Sequence, residues 1–479
     1  MRPHCTPLPA SIQHPVRLTI RRLLLATCAF LCAVVPTVRA ENPIIQTSFT
    51  TDPAPLVHNG VVYLYTSHDE DDALDWFKMR DWRLYTSSDL SNWTDKGVVA
   101  SLATFPWANQ HNDAWAPQVV ARNGKFYLYV PITVPGNPRN VIAVAVADRP
   151  EGPFKDALGK PLIDRGDGSF DPTVFVDDDG QAYLYWGNPK LWYVKLNDDM
   201  VSYSGPITQI SETPRDYQEG PWFYKRKGKY YMAFASTCCP EGIGYAMSDK
   251  PTGPWIHKGH IMDHNANSTG NHPGIVDFMG SSYVFGFNYE LNFADTPIHR
   301  ERRSVTVAKL EYEADGTIKM LPWWDEKGVE PLKPLDPYAR VEAETIAWTS
   351  RIKRDRDRPF RWVPGVKTAH SDKVGMYVTR ITDLNYIKVN RVDFGRSGAK
   401  RFMANVASDT GGGAIELRLD SLDGPHLGTL TVTKTGGWEE WQRQSVPVSG
   451  ATGTHDLYLV FRGAGDSPLF NFDHWTFSR

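Results

Sequence analysis

A phrase that recurs five times is the feature of this sequence that most constrains its fold. Each copy places a proline one or two residues after its first position, then runs through a β-rich stretch and a glycine into an aromatic strand. The prolines stand at positions 53, 117, 172, 221 and 273, so successive copies are 64, 55, 49 and 52 residues apart. Repeats of this length that contain only strands are typical of β-propellers, in which each repeat forms one blade. The sequence therefore predicts an all-β chain with a five-bladed β-propeller over residues 41–329.

The first positions of the five phrases hold Asp52, Ala116, Asp171, Glu219 and His272. If the repeats surround an axis, these side chains converge at one place. Cleavage of a glycosidic bond requires one carboxyl group that protonates the leaving oxygen and a second that attacks the sugar or activates water. Crowded and buried carboxyl groups also acquire the raised pKa that an acid needs near neutral pH. The three acids are therefore candidate catalytic residues, although an aspartate before a proline is also a common way to open a turn.

The N-terminal segment has the pattern of an export signal. Basic residues precede a 13-residue apolar run, Leu23–Val35, which is too short to span a membrane comfortably. We expect cleavage after Ala40, so that residues 1–40 are a signal peptide. The mature protein is then expected to be secreted or periplasmic, with no membrane association after cleavage.

Charge and cysteine content restrict the partners and the chemistry. Residues 1–40 contain five arginines and no acids, so their removal leaves 47 basic and 55 acidic side chains. A net acidic protein does not favour a nucleic-acid partner, and it suits a neutral glycan. Of five cysteines, only Cys238 and Cys239 lie outside the signal. Because a disulfide between adjacent cysteines closes a strained ring, we expect two free thiols there.

The pattern changes after residue 329. Residues 330–339 contain three prolines, which predicts a stiff and extended linker. Short alternating strands with glycine-rich turns then predict a β-sandwich of jelly-roll type over residues 340–479. Within it, the basic run 351–361 is expected to be a solvated loop.

Residues 48–320 resemble glycoside hydrolase family 43. The most specific matches are Phe49-Thr-Thr-Asp-Pro-Ala-Pro, Ser169-Phe-Asp-Pro-Thr-Val-Phe and Tyr217-Gln-Glu-Gly-Pro-Trp-Phe. The resemblance implies a five-bladed propeller enzyme that acts on arabinose- and xylose-containing polysaccharides with inversion. It implies Asp52 as general base, Glu219 as general acid, and Asp171 as the residue that orients Glu219 and raises its pKa.

The same resemblance implies further residues around the active site. His272 is expected near the axis, where it would contact a calcium ion through water, since calcium prefers oxygen ligands. Arg303 is expected to contact substrate. Trp115 and Phe49 are expected to stack against sugar rings.

Residues 340–479 resemble a carbohydrate-binding module of family 6. The matching segments include Arg340-Val-Glu-Ala-Glu, Gly436-Gly-Trp and Phe470-Asn-Phe-Asp. The resemblance implies a structural calcium ion on Glu342, Glu344 and Asp473, and a sugar site formed by Tyr377, Trp438 and Asn471. The family has Gly-Asp where this chain has Leu384-Asn385, so a module that only packs on the propeller is an alternative.

Together these features predict an inverting glycoside hydrolase that releases α-L-arabinofuranosyl or β-D-xylosyl residues from xylan or arabinoxylan. Its partner would be plant cell-wall polysaccharide or derived oligosaccharides, and no organic cofactor is expected. The alternatives are an endo-acting arabinanase, a fructan-cleaving propeller and a non-catalytic glycan-binding propeller. Fructan enzymes carry a Trp-Met-Asn-Asp-Pro-Asn phrase at the first acid, whereas this chain has Phe-Thr-Thr-Asp-Pro-Ala. A purely binding protein would not need three acids in register.

Overall fold

The structure is a computed structural model, and it is built almost entirely of β-strands. The residues it describes are 41–166, 168–266, 268, 271–326, 328–350, 365–465 and 467–479. The signal peptide predicted at residues 1–40 and the loop predicted at 351–361 lie outside the described residues. Among the residues described, no helix has the length and apolar character that a membrane crossing requires.

Residues 49–310 form five antiparallel sheets, each made of strands that are consecutive in the chain. The first contains β1 (Phe49–His58), β2 (Val61–Asp69), β3 (Asp81–Ser87) and β4 (Trp93–Ser101), and the second contains β5 (Gln118–Arg122), β6 (Lys125–Val134), β7 (Asn137–Ala147) and β8 (Lys155–Asp156). The third contains β9 (Thr173–Val176), β10 (Ala182–Trp186), β11 (Trp192–Leu196) and β12 (Tyr203–Gln209). The fourth contains β13 (Tyr217–Arg226), β14 (Lys229–Ser236), β15 (Gly242–Ser248) and β16 (Ile256–Met262), and the fifth contains β17 (Gly274–Phe278), β18 (Ser281–Asn288) and β19 (Ser304–Leu310).

Each repeated phrase folds as the hairpin that opens a sheet. In the first phrase His58 pairs with Val61, which leaves a two-residue loop of Asn59 and Gly60. Both loop residues have positive φ, 49° and 74°. Tight hairpins whose twist matches the strands require this left-handed backbone, which glycine and asparagine tolerate. The glycine shared by the phrases is therefore a turn residue.

A buried tyrosine in each of the first three phrases ties its sheet to the next one. The hydroxyl of Tyr65 donates to the carbonyl of Pro150 at 2.7 Å, beyond the end of β7. Tyr129 and Tyr185 repeat this contact, as each donates at 2.6 Å to a carbonyl in a turn of the following sheet. A buried hydroxyl needs such a partner. The tyrosines therefore align neighbouring sheets as well as filling the core.

The chain closes the arrangement by bringing its beginning to the fifth sheet. The amide of Ile44 donates to the carbonyl of Val305, and the amide of Thr50 donates to the carbonyl of Arg303. The side chain of Asn42 exchanges hydrogen bonds with the backbone of Val307. These contacts place the segment before β1 alongside β19, so that the first and fifth sheets are neighbours. One six-residue helix, α1 (Glu290–Asp295), precedes β19.

The C-terminal part is a sandwich of two sheets around its own apolar core. One sheet contains β20 (Val341–Glu342), β23 (Lys367–Ser371), β24 (Gly375–Thr379), β26 (Arg401–Ala407), β29 (Gln442–Pro447) and β31 (Asn471–Ser478). The other contains β22 (Trp348–Thr349), β25 (Tyr386–Asp393), β27 (Ala414–Leu419), β28 (His426–Thr431) and β30 (Thr454–Arg462).

The connection between the two parts is packed rather than free. Within the predicted linker, Leu332 donates its amide to Asp89 of the first part, and Leu335 donates to Arg391 of the sandwich. Strand β21 (Thr345–Ile346), which lies beyond the boundary expected at residue 340, pairs with β4 and extends the first sheet. Leu332 packs against the apolar cluster shared by the first and fifth sheets, whereas Leu335 and Tyr338 pack against the core of the sandwich. The proline-rich segment therefore contacts both parts.

Candidate active site

The first residues of the five phrases meet in one place. A narrow cavity of about 20 Å³ is lined by residues from the start of all five sheets: Asp52, Pro53, Ala116, Pro117, Gln118, Asp171, Pro172, Thr173, Gly220, Pro221, Trp222, His272 and Pro273. The convergence predicted from the repeat is therefore present. Residues separated by up to 220 positions in the sequence face one another.

The backbone at the acids departs from regular strand geometry. Asp52 and Asp171 have positive φ values of 48° and 52°, a left-handed conformation that aspartate tolerates better than most residues. The pairing register shifts on both sides of Glu219 in β13 and just after Asp52 in β1. Such irregularities redirect side chains that would otherwise alternate across a sheet. They bring the acids to the common cavity.

His272 lies among the three carboxylates. Its Nδ1 is 3.5 Å from Asp52 Oδ1, whereas its Nε2 is 3.4 Å from Glu219 Oε1 and 3.7 Å from Asp171 Oδ2. Burial alone would lower the pKa of His272, but the carboxylates of Asp171, Asp52 and Glu219 together raise it to about 10. The imidazole is therefore a cation at neutral pH, and it partly offsets the repulsion among the acids.

The carboxyl group of Asp171 is buried and surrounded by charged groups. Burial raises its pKa to about 7, and the negative charges of Glu219 and Asp52 act in the same direction, while His272 opposes them. The amide of Gly220 donates to Asp171 Oδ2 at 3.1 Å, so Asp171 contacts the backbone directly after Glu219. A Cβ at Gly220 would lie 2.6 Å from the His272 ring, which explains the glycine.

Glu219 is held by an amide that the repeat does not predict. Asn188, which follows β10 in the neighbouring sheet, donates through Nδ2 to Glu219 Oε2. Gln218 in turn donates to Asn188 Oδ1 at 3.0 Å. Glu219 is thus oriented from the sheet that carries Asp171, and its other oxygen faces His272.

Arg303 is anchored by Asp69. Its Nε and Nη2 donate to the two oxygens of Asp69 at 3.0 Å, and its backbone amide donates to Asp69 Oδ2 at 2.8 Å. Both side chains are buried, which makes this a bidentate ion pair shielded from water. The remaining nitrogen, Nη1, lies 3.5 Å from Asp52 Oδ1. Arg303, predicted to contact substrate, therefore also places positive charge beside Asp52.

A wider cavity of about 430 Å³ opens above the acids. Besides Asp52, Asp171, Glu219, His272 and Arg303, it is lined by Trp76, Phe77, Asp113, Trp115, Ala116, Thr133, Phe170, Asn140, Asn188, Gln218, Cys238 and Glu241. Trp115, predicted as a sugar-stacking residue, is among them. Apolar and aromatic walls with a few polar groups are the usual composition of a small-ligand site.

Several of these residues escaped the sequence analysis because they stand outside the repeated phrase. Trp76 is 67% exposed and comes from the loop between β2 and β3. Glu241 is buried and accepts a hydrogen bond from the amide of Asn271 at 2.6 Å. A large aromatic residue in an Asp-rich loop was the one available signal for Trp76. Nothing local distinguishes Glu241 from an ordinary turn residue.

Phe49 is placed differently from its prediction. Its ring is fully buried and belongs to a cluster with Leu291 and Trp348, in which the sandwich contributes further apolar residues. It is not among the residues that line either cavity. The expectation that Phe49 stacks against sugar is therefore wrong. Three residues before Asp52, the strand has already left the cavity, and its aromatic side chain serves the contact between the two parts.

The two adjacent cysteines are also placed differently from their prediction. Cys238 and Cys239 form a disulfide with each other, instead of two free thiols. The peptide bond between them is cis, and their Cα atoms are 3.1 Å apart. The pair lies in the loop between β14 and β15, and Cys238 lines the wider cavity.

In the sugar site predicted in the sandwich, the side chain of Asn471 is hydrogen-bonded to other groups of the protein. Asn471 donates through Nδ2 to the carbonyl of Trp438 at 2.7 Å and accepts a hydrogen bond from Thr379 at 2.8 Å. Tyr377 is 8% exposed and lies edge-on to Trp441, whereas Trp438 is 37% exposed. Asn471 is thus in contact with Trp438, which offers an accessible aromatic surface, whereas Tyr377 contacts Trp441.

The acids predicted to bind calcium are only partly brought together. Glu342, Asp473 and His474 have ligand atoms within 4.8 Å of one another. Arg340 donates to both Glu342 and Asp473, so a cation already lies beside them. Glu344 is outside that group; its Oε2 is buried without a hydrogen-bond partner among the described residues, and burial raises the pKa of Glu344 well above its usual range.

Comparisons with known proteins agree with this geometry. The family model described as glycosyl hydrolases family 43 matches residues 40–318, and the model described as carbohydrate binding module (family 6) matches residues 359–479. An arabinoxylan arabinofuranohydrolase of Bacillus subtilis (strain 168) is 34% identical over 92% of this chain and 92% of its own length. A protein of the same name from Paenibacillus polymyxa is 34% identical over 91% of this chain and 74% of its own.

Solved structures give the same result. The crystal structure of a family 43 arabinoxylan arabinofuranohydrolase from Bacillus subtilis, in complex with cellotetraose, superposes with a TM-score of 0.80 at 33% identity, covering 92% of this chain and 99% of that one. A family 43 β-xylosidase/α-arabinofuranosidase from a compost metagenome, solved with xylotriose in a calcium-free form, covers 59% of this chain and 97% of its own, with a TM-score of 0.54 at 29% identity.

The resemblances inferred from the motifs are confirmed in both parts and in the stated order. The N-terminal part is a β-propeller, and a separate β domain follows it. The prediction of a glycosidase, rather than a binding protein, is also confirmed. The chain belongs to glycosyl hydrolase family 43 and carries a family 6 carbohydrate-binding module at its C-terminal end.

Proposed function

We propose that this protein releases α-L-arabinofuranosyl or β-D-xylosyl residues from xylan or arabinoxylan by hydrolysis with inversion. The observation that carries the proposal is the placement of Asp52, Asp171 and Glu219 around one imidazole at the base of an aromatic-lined cavity. The names of the two relatives that match over most of this chain support the substrate, because both are arabinoxylan arabinofuranohydrolases. The ligands in the solved relatives, cellotetraose and xylotriose, support a glycan partner.

In this proposal Glu219 protonates the leaving oxygen, and Asp52 removes a proton from the attacking water. Glu219 has the more exposed carboxylate of the two, 18% against 4%, which suits a group that must reach the departing sugar. Asp171 orients the backbone directly after Glu219 by accepting a hydrogen bond from the amide of Gly220. Asp52 and Glu219 contact different nitrogens of the His272 imidazole, so the ring lies between their two carboxylates. An inverting enzyme keeps its two carboxyl groups apart to leave room for the attacking water.

Product stereochemistry tests the function and the mechanism together. Purified protein is incubated with wheat arabinoxylan, with 4-nitrophenyl α-L-arabinofuranoside and with 4-nitrophenyl β-D-xyloside, while proton NMR follows the first turnover products. We expect β-L-arabinofuranose from the α-linked substrates, because water attacks the face opposite the leaving group. A product that first appears with the substrate's own anomeric configuration would rule out the assigned roles. No release of either sugar would rule out the substrate class.

We further propose that the five sheets are the five blades of the propeller. The repeat, the axial cavity and the contacts between successive sheets support this count. We also propose that residues 1–40 direct export and are removed, which would place the enzyme outside the cytoplasm, where polymeric glycans occur. The basic and apolar pattern of that segment supports the proposal.

We propose that calcium binds the module through Glu342, Glu344 and Asp473. Oxygen ligands suit calcium, and an ion would satisfy the buried oxygen of Glu344 that has no partner. Arg340 would have to yield its contacts with Glu342 and Asp473 to such an ion. A second calcium near His272 at the propeller axis, contacted through water, is proposed on the resemblance alone.

Chelation tests the module site. EDTA is expected to lower the thermal midpoint of the wild-type protein by a few degrees, and calcium to restore it, because an ion present at 100 times its Kd stabilises by about 2.7 kcal/mol. Glu344→Gln is expected to abolish the response, while Glu440→Gln, at an exposed acid of the same module, is expected to keep it. Equal midpoints with EDTA and with calcium would contradict the site.

A further inference from the structure

The wall of the wider cavity formed by the second sheet carries polar groups to which neither the repeat nor the family motif gives a role. Asp113, Thr133 and Asn140 all line this cavity. Thr133 lies near the end of β6 and is paired directly with Asn140 of β7. Asp113 reaches the same place from the loop before β5, where its Oδ2 accepts a hydrogen bond from Thr133 Oγ1 at 2.9 Å. The three side chains are therefore neighbours.

Asn140 has hydrogen-bonding capacity that the described residues do not use. The residue is 4% exposed, and its Nδ2 has no hydrogen-bond partner among the described residues. A buried amide donor without a partner costs free energy, and native structures rarely keep one without a reason. At the wall of a ligand cavity, that reason is a polar group that arrives with the ligand.

Asp113 is held in a backbone conformation that its side chain does not favour. Its φ is 82°, in the left-handed region. Residues kept in such conformations cluster at ligand sites, where the fold maintains them for their side-chain position. Burial raises the pKa of Asp113, and the hydrogen bond from Thr133 opposes the rise. The carboxyl group thus lines the cavity, and its one side-chain donor among the described residues is Thr133.

A carboxylate acceptor next to an amide matches two adjacent hydroxyl groups of a sugar, since every hydroxyl both donates and accepts. We propose that Asp113 and Asn140 form a diol-binding subsite, which holds two neighbouring hydroxyls of the glycan and thereby sets substrate specificity. The proposal rests on the proposed function, because it assumes that the cavity receives a sugar. The diol belongs either to the reacting sugar or to the chain unit that carries it.

Single substitutions test the subsite. Asp113→Asn and Asn140→Ala are each expected to lower kcat/KM by about 10- to 100-fold, the usual effect of removing a hydrogen bond to a substrate hydroxyl in a buried site. Asp198→Asn, at an aspartate with a 93% exposed side chain, is the matched control and should leave kcat/KM unchanged. If wild type and Asp198→Asn release sugar while Asp113→Asn equals them, this inference fails and the proposed function stands.

Two substrates locate the diol. With 4-nitrophenyl α-L-arabinofuranoside only the reacting sugar is present, whereas arabinoxylan also supplies the chain unit. A loss on both substrates assigns the diol to the reacting sugar, and a loss confined to arabinoxylan assigns it to the chain. If the loss is on the aryl substrate, arabinofuranosides lacking the 2-, 3- or 5-hydroxyl refine the test. The wild type should lose activity on the 2-deoxy and 3-deoxy substrates, which each lack one member of the sugar's vicinal diol, and Asp113→Asn should lose little more on them. If the loss caused by Asp113→Asn adds fully to the loss caused by each missing hydroxyl, on all three substrates, then Asp113 does not contact those hydroxyls directly. That result would overturn the subsite.

Asp113→Gly separates a contact from a structural role. Glycine accepts a φ of 82° without strain, so this variant should fold with a thermal midpoint no lower than that of wild type. Its kcat/KM should nevertheless fall as far as that of Asp113→Asn. Retention of full activity in the glycine variant would show that only the backbone conformation matters, and the subsite would be discarded.

Discussion

Replacement of Glu219 by glutamine is expected to lower kcat on arabinoxylan by about a thousand-fold, within the range that general acid catalysis contributes. Glutamine keeps the size of the side chain and one acceptor oxygen for Asn188 or His272, but it cannot give a proton to the leaving oxygen. The loss should therefore fall on kcat and not on KM. Initial rates of arabinose release, measured on both proteins at several substrate concentrations, check this.

The leaving group distinguishes an acid from other roles at this position. A 2,4-dinitrophenyl glycoside departs without protonation, so on it Glu219→Gln should recover most of the wild-type rate. Glu212→Gln, at an exposed glutamate only seven residues earlier, is the matched control and should retain full activity on every substrate. A loss of equal size on arabinoxylan and on the dinitrophenyl substrate would remove Glu219 from the role of acid.

Replacement of Asp52 by asparagine is expected to produce a loss of similar size, about a thousand-fold or more, on all substrates alike. Asparagine cannot accept the proton of the attacking water, and an activated leaving group does not supply that function. The position is sensitive because Asp52 is 4% exposed and lies 3.5 Å from both Arg303 and His272. Rates on the aryl arabinofuranoside and its dinitrophenyl analogue, compared as a ratio, measure the effect.

The two variants are thus distinguished by the ratio of their rates on the dinitrophenyl and nitrophenyl arabinofuranosides, and not by the size of the overall loss. Glu219→Gln should show a large preference for the activated substrate, and Asp52→Asn should show the same ratio as wild type. Circular dichroism should confirm that both proteins remain folded. If Asp52→Asn recovers activity on the dinitrophenyl substrate, Asp52 would be the acid instead of the base. That result would contradict the proposal.

Repetition is what made the acids predictable from the sequence. A single Asp-Pro pair predicts little, but five phrases in register place their first residues at equivalent positions in successive sheets. When the sheets surround an axis, these equivalent positions lie close to one another. Asp52, Asp171, Glu219 and His272 meet accordingly. The hairpin glycines followed from the same phrase, because the turn geometry is local and requires a left-handed backbone.

Residues outside the phrase could not be placed by this reasoning. Asn188 contacts Glu219 across two sheets, and Asp113 reaches Thr133 from a loop that has no counterpart in the other repeats. Which way a loop side chain points depends on packing with distant parts of the chain. The amino-acid types alone are compatible with ordinary surface turns.

The two predictions that were wrong failed for a related reason. Phe49 is covered by Trp348 and other residues about 300 positions later, so its aromatic character was visible but its partner was not. Cys238 and Cys239 form a disulfide in the loop between β14 and β15, although the strained ring favoured free thiols. Neither the distant packing partner of Phe49 nor the conformation of that loop can be read from a local pattern.

The pairing of β21 with β4 has a consequence for dissecting this enzyme into parts. A truncation at residue 329 would remove β21, whose two residues pair with Thr94 and Trp93, and would expose the backbone groups at the start of β4. Exposed edge strands of this kind recruit other chains and promote aggregation. It would also uncover Phe49. The C-terminal module thus covers part of the first sheet that the N-terminal part alone would leave exposed.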